Sequence, residues 1–369
     1  MAYVVERRTI EGTSRFLANY RDPEGRVRSA GTFPSRRAAD RAANREEQRV
    51  LAGNWRDSSL GAVPFQQYVE VNWLPSKHIE PTTKAAYVSN LNKHFIPFFG
   101  ARLMYQITPS LVQDWVTKAA ADGLSARSIR KYHTMLHSIF KRAVRDQLIV
   151  GNPCEHTELP KVITKKTRTL TPDEFRVLIE SIPDQHRLMV ETAIETGMRW
   201  GELIALRPRH IDFLRRTITV QDTIIEVSKT HSPTGERFIN KPYPKNNEPR
   251  TLAVRRDWLD AVAKYMNLLD IDRDGLLFTT TVGTPISRNT FRTRVWIPAV
   301  KASGISFAVR MHDLRHAHAS WLLAGGSDLK SVMDRLGHAQ IQTTQKYLHA
   351  LDEADQRNLD ALDRMTRRQ

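Results

Sequence analysis

The sequence predicts an α+β fold, predominantly helical and divided into several domains, and three observations carry that expectation. Helical periodicity with Ser or Thr start signals and Gly stops dominates from residue 64 onward. Short alternating runs rich in Val, Ile, Thr and Tyr are confined to residues 1–60 and to a patch between 215 and 254, so any sheet is small. A length of 369 residues exceeds the span of a typical single core, about 100 to 200 residues, so two or three domains are expected.

Residues 1–60 open with "AYVVERRTI", "SRFLANYRD" and "RVRSAGTF", interrupted by "DPEG", where Pro and Gly suit a chain reversal. A three-stranded sheet follows from this, with "SRRAADRAANREEQRVLAG" as a helix against it, Ser35 as its N-cap and Gly53 as its stop. The module holds twelve Arg, no Lys and eight acidic residues, which fits either DNA binding or a solvated charged surface. Residues 61–152 read as helices only: "FQQYVEVNWLP", "TTKAAYVSNLNKHFIPFFG", "TPSLVQDWVTKAAADG" and "SARSIRKYHTMLHSIFKRAVRDQLI". In the last of these Ile129, Tyr132, Leu136, Ile139 and Ala143 form an apolar stripe. Arg127, Arg130, Lys131, Lys141, Arg142 and Arg145 lie off it, so one side packs while the other can meet phosphate or merely be solvated. Residues 153–168, proline-rich and basic, read as a linker. From 169 to 369, "TPDE" offers Thr171 as N-cap and Pro172 at the first helical position. Strand-like "RRTITV", "DTIIEV" and "RTLAV" follow as a small antiparallel sheet, then helices to the end, including the tail "DEADQRNLDALDRMTRRQ".

Lys plus Arg outnumber Asp plus Glu by 56 to 40, giving a formal charge of +16 and a pI near 10.1, the long-range signature of a polyanion partner, nucleic acid first among them. Apolar residues are 40% of the chain, and no run approaches the roughly 20 needed to cross a bilayer, so no membrane partner is expected. The single cysteine, Cys154, cannot form an internal disulfide or seed a Cys-based zinc site. "MAYVVERRTIEGTSRF" lacks an apolar signal core, so a cytoplasmic location is expected.

"HDLRHAHAS", residues 312–320, puts three histidines and an arginine on one helix. His312 and His316 have the spacing of a zinc-hydrolase helix, but Asp313 stands where a glutamate base would, and Arg315 brings a permanent positive charge beside the ion. Oxyanion recognition is the better reading: His312 and Arg315, three apart, project together, and His318 shares the packing face with Leu314, Ala317 and Trp321, where a local hydrogen bond would satisfy it. Around this helix stand three further motifs. "ETGMRWGELIAL" breaks a helix at Gly197 and restarts it with Arg199 and Glu202. "KPYPKNNEPRTLAV" carries Lys245 in a turn, and "LGHAQIQTTQKYLHA" sets His338 after a helix-ending Gly337 and nine residues before Tyr347.

These four motifs, in this order, resemble the tyrosine site-specific recombinases of the phage-integrase type. The resemblance implies a multi-domain DNA clamp: a helical core-site-binding domain at 61–152, a mixed, mainly α catalytic domain at 169–369, and an arm-site-binding-like domain at 1–60. It implies that Tyr347 attacks a DNA phosphodiester to leave a 3′-phosphotyrosine, and that Arg199 and Arg315 clamp the nonbridging oxygens. His312 and His338 assist proton transfer, and Lys245 protonates the leaving 5′-oxygen. Lys245 is preferred over Lys229 because Arg250 and "RTLAV" follow it at the family's spacing. Glu202 would orient Arg199, and no metal or cofactor is called for, since fixed cations do the work. The implied partners are double-stranded attachment-site DNA, a homotetramer on that DNA and an accessory bending or directionality protein. The rivals are a type IB topoisomerase, which reseals one strand without exchange, and a non-catalytic DNA-binding protein on the same scaffold.

Overall fold

The computed structural model describes residues 2–8, 13–53, 55, 57–163, 168–228, 230, 232, 234–242 and 249–337. Lys229, Lys245, His338, Tyr347 and the terminal helix expected at "DEADQRNLDALDRMTRRQ" lie outside the described residues. Residues 1–79 with 86–163 form one compact unit, and residues 80–85 with the described part beyond 163 form a second.

The first unit begins with an antiparallel meander of β1 (Tyr3–Arg8), β2 (Ser14–Arg21) and β3 (Val27–Phe33). Its second turn is closed by the buried Asp22, whose carboxylate accepts the amides of Glu24 (3.0 Å) and Arg26 (2.8 Å) and Nε of Arg28 (3.0 Å). Helix α1 (Arg36–Leu51) starts at Ser35, whose hydroxyl accepts from the Ala38 amide. It lies close on the sheet because the buried contact is made by Ala39 and Ala43 against Ala18. The parts expected on either side of residue 60 fall in this one unit.

The remainder of the unit is helical, as expected: α2 (Phe65–Tyr68), α3 (Pro81–Asn90, whose residues 81–85 count with the second unit), α4 (Ile96–Phe99), α5 (Pro109–Ala121) and α6 (Ala126–Arg145). Between α3 and α4 the helix opens into a π-turn over Leu91–Phe95, and the Ile96 amide bonds to the Leu91 carbonyl five residues back. Pro97, next in line, has no amide to give and its ring would strike the carbonyl four residues before it, so the wider turn relieves the ladder. The core is aromatic: Phe65, Tyr68, Trp73, Phe95, Phe99 and Phe140 are fully buried, each contributing about 1.5 to 3 kcal/mol. α6 buries Ile129, Leu136, Ile139 and Ala143 as its stripe predicts, and adds His133 and Phe140; Tyr132 is half-buried and stacks on His94 at 4.4 Å.

The first half of the stretch read as a linker is anchored. Asn152 bridges the Cys154 amide and the His137 carbonyl, Gln113 pairs reciprocally with the Glu158 backbone, and Arg130 donates to the carbonyls of Leu159 and Pro160. Side-chain amides and a guanidinium thus satisfy a backbone that has no secondary structure of its own.

In the second unit α7 (Pro172–Glu180) opens with the Thr171/Glu174 capping box read from "TPDE". α8 (Asp184–Thr196) and α9 (Trp200–Leu203) follow, then β4 (Ile211–Asp212), β5 (Thr217–Val220), β6 (Thr223–Glu226), β7 (Phe238–Lys241) and β8 (Arg250–Ala253). The sheet runs β4-β5-β8, antiparallel, with Ile218 opposite Leu252; β6 and β7 form a separate hairpin with Ile225 opposite Ile239. β7 is not among the strands expected from the sequence; cross-strand apolar pairing makes it one. Next come α10 (Arg256–Leu268), α11 (Arg288–Phe291), a π-turn over Arg292–Trp296 ahead of Pro298, α12 (Ile297–Ala302), α13 (Asp313–Ala324) and α14 (Leu329–Leu336). α8, the small sheet, α10 and α13 share one core, with Val190, Leu203, Ile218, Leu252, Val262, Trp296 and Leu314 inside it. No helix among the described residues is long and apolar enough to cross a membrane.

Candidate active site

Two helix ends and two helix starts build the site. α8 stops where Gly197 enters the left-handed region at φ 63°, and α14 stops the same way at Gly337, φ 64°. A Cβ on Gly197 would lie 2.7 Å from the His318 ring and 2.9 Å from Leu336, so a side chain is excluded there on two counts. Two residues past Gly197, Arg199 caps α9 with Glu202: the Arg199 amide donates to Oε2 (3.0 Å) and its guanidinium to Oε1 (2.9 Å). Glu202 is buried, and burial alone would raise its pKa; the fork of Arg250 and the charge of Arg199 reverse this and bring it down to about 2. It is therefore a fixed anion that orients arginines, the part expected of it.

α13 begins at Asp313, with His312 as the residue before it. The Asp313 carboxylate turns back onto Arg310, accepting its amide (2.8 Å), Nε (3.2 Å) and a terminal nitrogen (2.8 Å). It is therefore no partner for an ion between His312 and His316, whose rings meet edge-to-face at 4.8 Å. Arg315 is 2% exposed and donates to the carbonyls of Gly197 (2.6 Å) and Leu336 (2.5 Å). The spacing has it project together with His312; the structure corrects this, since Arg315 reaches inward to the two helix ends, and Ala319, one turn on, is fully buried against Leu323, Val332 and Leu336.

His312 keeps an open edge, yet partial burial, then the neighbouring His316 and Arg315, hold its pKa down to about 4, so it is neutral near pH 7. Arg199, Arg288 and His312 line the same cleft of the second unit. His318 is the structural histidine the sequence suggested. Arg335 Nε donates to its Nε2 at 3.0 Å, which makes Nε2 the acceptor and leaves Nδ1–H to donate to the Ile194 carbonyl at 2.7 Å.

The described part of the site thus brings Arg199, His312 and Arg315 onto one set of elements, with the last residues of α14 leading into His338. Sequence reasoning missed two participants. Arg250, noticed only as a spacing marker, binds Glu202; Arg335 ties α14 to His318 and to the carbonyls of Ala253 and Glu195, each at 3.0 Å. A basic residue in a helix's last turn is the signal that pointed to Arg335. On α6, five of the six cations expected to meet DNA are exposed, and four of these, Arg127, Lys131, Lys141 and Arg145, lie apart from the backbone carbonyls that Arg130 binds. Arg130 holds the Leu159 and Pro160 carbonyls, and Arg142 is paired with Asp146, which also accepts the Tyr68 hydroxyl at 2.8 Å.

Comparison with known proteins gives the family. The model of the phage integrase family matches residues 168–354, and that of the phage integrase N-terminal SAM-like domain matches residues 65–120. The chain belongs to the phage integrase family, and it is a tyrosine recombinase, an enzyme that breaks and rejoins DNA strands. It is 28% identical over 349 residues to a prophage phiRv2 integrase of Mycobacterium tuberculosis, covering 92% of this chain and 89% of that one. It is 30% identical over 243 residues to the tyrosine recombinase XerD of Listeria monocytogenes, covering 63% of this chain and 74% of that one. The fold matches the lambda integrase tetramer bound to a Holliday junction with a TM-score of 0.59 at 23% identity, over 91% of this chain and 95% of that one.

Proposed function

We propose that Tyr347 is the nucleophile of this recombinase and that Arg199, Lys245, His312, Arg315 and His338 complete its catalytic set. The observation that carries the proposal is the fixing of the Arg199 and Arg315 guanidiniums at the ends of α8 and α14, on the residues immediately before His338. In the cleavage step the Tyr347 oxygen bonds to the scissile phosphorus and the bond from phosphorus to the 5′-oxygen breaks. The phenolic proton passes to a neutral base, a role open to His312 at its depressed pKa, and Lys245 supplies a proton to the departing 5′-oxygen. Negative charge growing on the nonbridging oxygens is met by the two arginines, whose planar forks suit a bidentate clamp. The released 5′-hydroxyl of a partner strand reverses the step, so the bond energy is kept and no nucleotide cofactor is consumed.

The DNA partner is a pair of attachment sites of an integrating element, with Arg127, Lys131, Lys141 and Arg145 of α6 contacting phosphates and the β1–β3/α1 module binding arm-type sequence. Likeness to the lambda integrase tetramer supports four protomers on two sites. The phage integrase family supports an accessory bending or directionality protein, and DNA as substrate supports a cytoplasmic, nucleoid-bound enzyme.

A nicked suicide substrate tests the reading. The wild-type chain is expected to trap as a covalent adduct, in EDTA as well as in magnesium, and Tyr347→Phe to form none. Sequencing the attached fragment should return a 3′-phosphate linked to residue 347. An adduct that survives the Phe substitution, or one formed only with metal, would remove the proposal.

A further inference from the structure

α14 ends on three successive carbonyl oxygens, each held by an arginine from a different element. Arg250, the first residue of β8, donates Nε to the Arg335 carbonyl at 3.0 Å; Arg315 of α13 donates to Leu336; Arg199, at the start of α9, donates to Gly337 at 3.0 Å. Two of these arginines belong to the catalytic set proposed above. Arg250 does not. Its side chain is 10% exposed, and its two terminal nitrogens are both on Glu202, at 2.6 and 3.2 Å. The same carboxylate receives the guanidinium and the amide of Arg199. One planar group therefore fixes the anion that aims Arg199 and, with its third direction, pins the last turn of α14 two residues short of Gly337. The packing is close: a Cβ on Gly337 would lie 3.2 Å from Arg250 Cδ.

We infer that Arg250 is a positioning residue for strand cleavage: without contacting DNA, it sets both the direction of the Arg199 guanidinium, through Glu202, and the exit of α14 toward His338 and Tyr347. This rests on the catalytic roles proposed for Arg199 and Tyr347. Because the ground-state grip on DNA does not use Arg250, its loss belongs to the chemical step. A lysine at this position keeps the charge opposite Glu202 but cannot donate in three fixed directions.

The experiment compares full-length wild type, Arg250→Lys, Arg250→Gln, Glu202→Gln and the Arg250→Lys/Glu202→Gln double variant. Each is measured for single-turnover adduct formation on the suicide substrate and for equilibrium affinity to an intact attachment site. Far-UV dichroism and unfolding midpoints identify any variant that does not fold; Arg250→Lys, which preserves the buried charge pair, is the variant on which the inference stands if Arg250→Gln fails that check. Adduct formation by Arg250→Lys is expected to fall about ten- to a hundredfold with affinity kept within about twofold, the scale of a misplaced catalytic group. The double variant should be no slower than the slower single by more than about threefold, because both changes act through one carboxylate. Wild-type rates in folded Arg250→Lys would overturn the inference, as would a loss of affinity matching the loss of rate. Fully multiplicative losses in the double variant would remove the route through Glu202. Absence of adduct from the wild type would instead sink the catalytic assignment, and this inference with it.

Discussion

The arginines around the end of α14 and the cations along α6 are both clusters of positive charge, yet they differ in what surrounds them. Arg315 and Arg250 are nearly or fully enclosed and have their donors committed to named carbonyl and carboxylate oxygens; Arg127, Lys131, Lys141 and Arg145 stand in solvent. A solvated cation attracts any phosphate and is screened by salt. A guanidinium held in place by protein needs no reorganisation when charge develops beside it, which is what stabilising a transition state requires. Formal charge, +16 over the chain, measures the first property and is silent about the second.

The largest contrast between the two clusters should come from truncating one residue in each. Arg315→Ala leaves the Gly197 and Leu336 carbonyls without this donor, at a cost of about 1 to 3 kcal/mol for each buried unsatisfied group. On the proposed catalytic role it also removes a phosphate clamp, with an expected loss of adduct formation of about a hundred- to a thousandfold. Arg145→Ala, on the exposed face, should change unfolding free energy by no more than about 0.5 kcal/mol and leave the rate per bound complex intact. Denaturant melts and single-turnover cleavage at saturating protein measure both. If the two variants behave alike, the distinction between fixed and solvated cations fails.

A smaller effect tests the scaffold beneath the fixed cluster. Burial, then the guanidiniums of Arg335 and Arg315, hold the buried His318 at about 4 against an ordinary value of 6.5. As pH falls through about 6.5 the unfolded chain takes up this proton, and the folded chain does so only near 4. Stability is therefore complete above about pH 6.5 and declines toward pH 4, with about 2 kcal/mol gone by pH 5. His318→Gln, which can still accept from Arg335, should flatten this acid limb while lowering stability at pH 7 only modestly. Urea melts at pH 7 and pH 5 give the comparison, and an equal acid loss in both proteins would assign it to other groups.

What could be read from the chain alone follows the reach of each interaction. Ser35, Thr171, Gly197 and Gly337 end or begin helices through bonds to residues two to four positions away, and the sequence located all four. His318 was placed correctly because helical spacing sets its face alongside Leu314. The partners of Arg250 and Arg130 lie 48 and 30 positions away, so nothing local marks them. β7 is a strand because of what lies across from it, and the Glu158 backbone is anchored by a glutamine 45 residues earlier. Arg142 is a different failure: Asp146 stands four positions on, and that pairing was present in "RAVRD" for a reading that looked only at positive charge.

That oversight leads to the finest test on α6. Lys131 and Lys141 are exposed, whereas Nε of Arg142 lies 2.7 and 2.8 Å from the two oxygens of Asp146, whose other bond is to the hydroxyl of the buried Tyr68. If the exposed cations are the ones that displace counterions from DNA, Lys131→Ala should reduce the slope of log affinity against log salt by about 0.9, the value for one phosphate contact. Arg142→Ala should leave that slope unchanged and instead lower unfolding stability by about 1 kcal/mol, because Asp146 loses the Nε–H that both its oxygens share. Filter-binding isotherms over a range of salt, paired with melts of the same preparations, separate the two. A slope that falls for Arg142→Ala would mean that Asp146 releases the guanidinium to phosphate, and an internally paired arginine on this helix would then count among its DNA contacts after all.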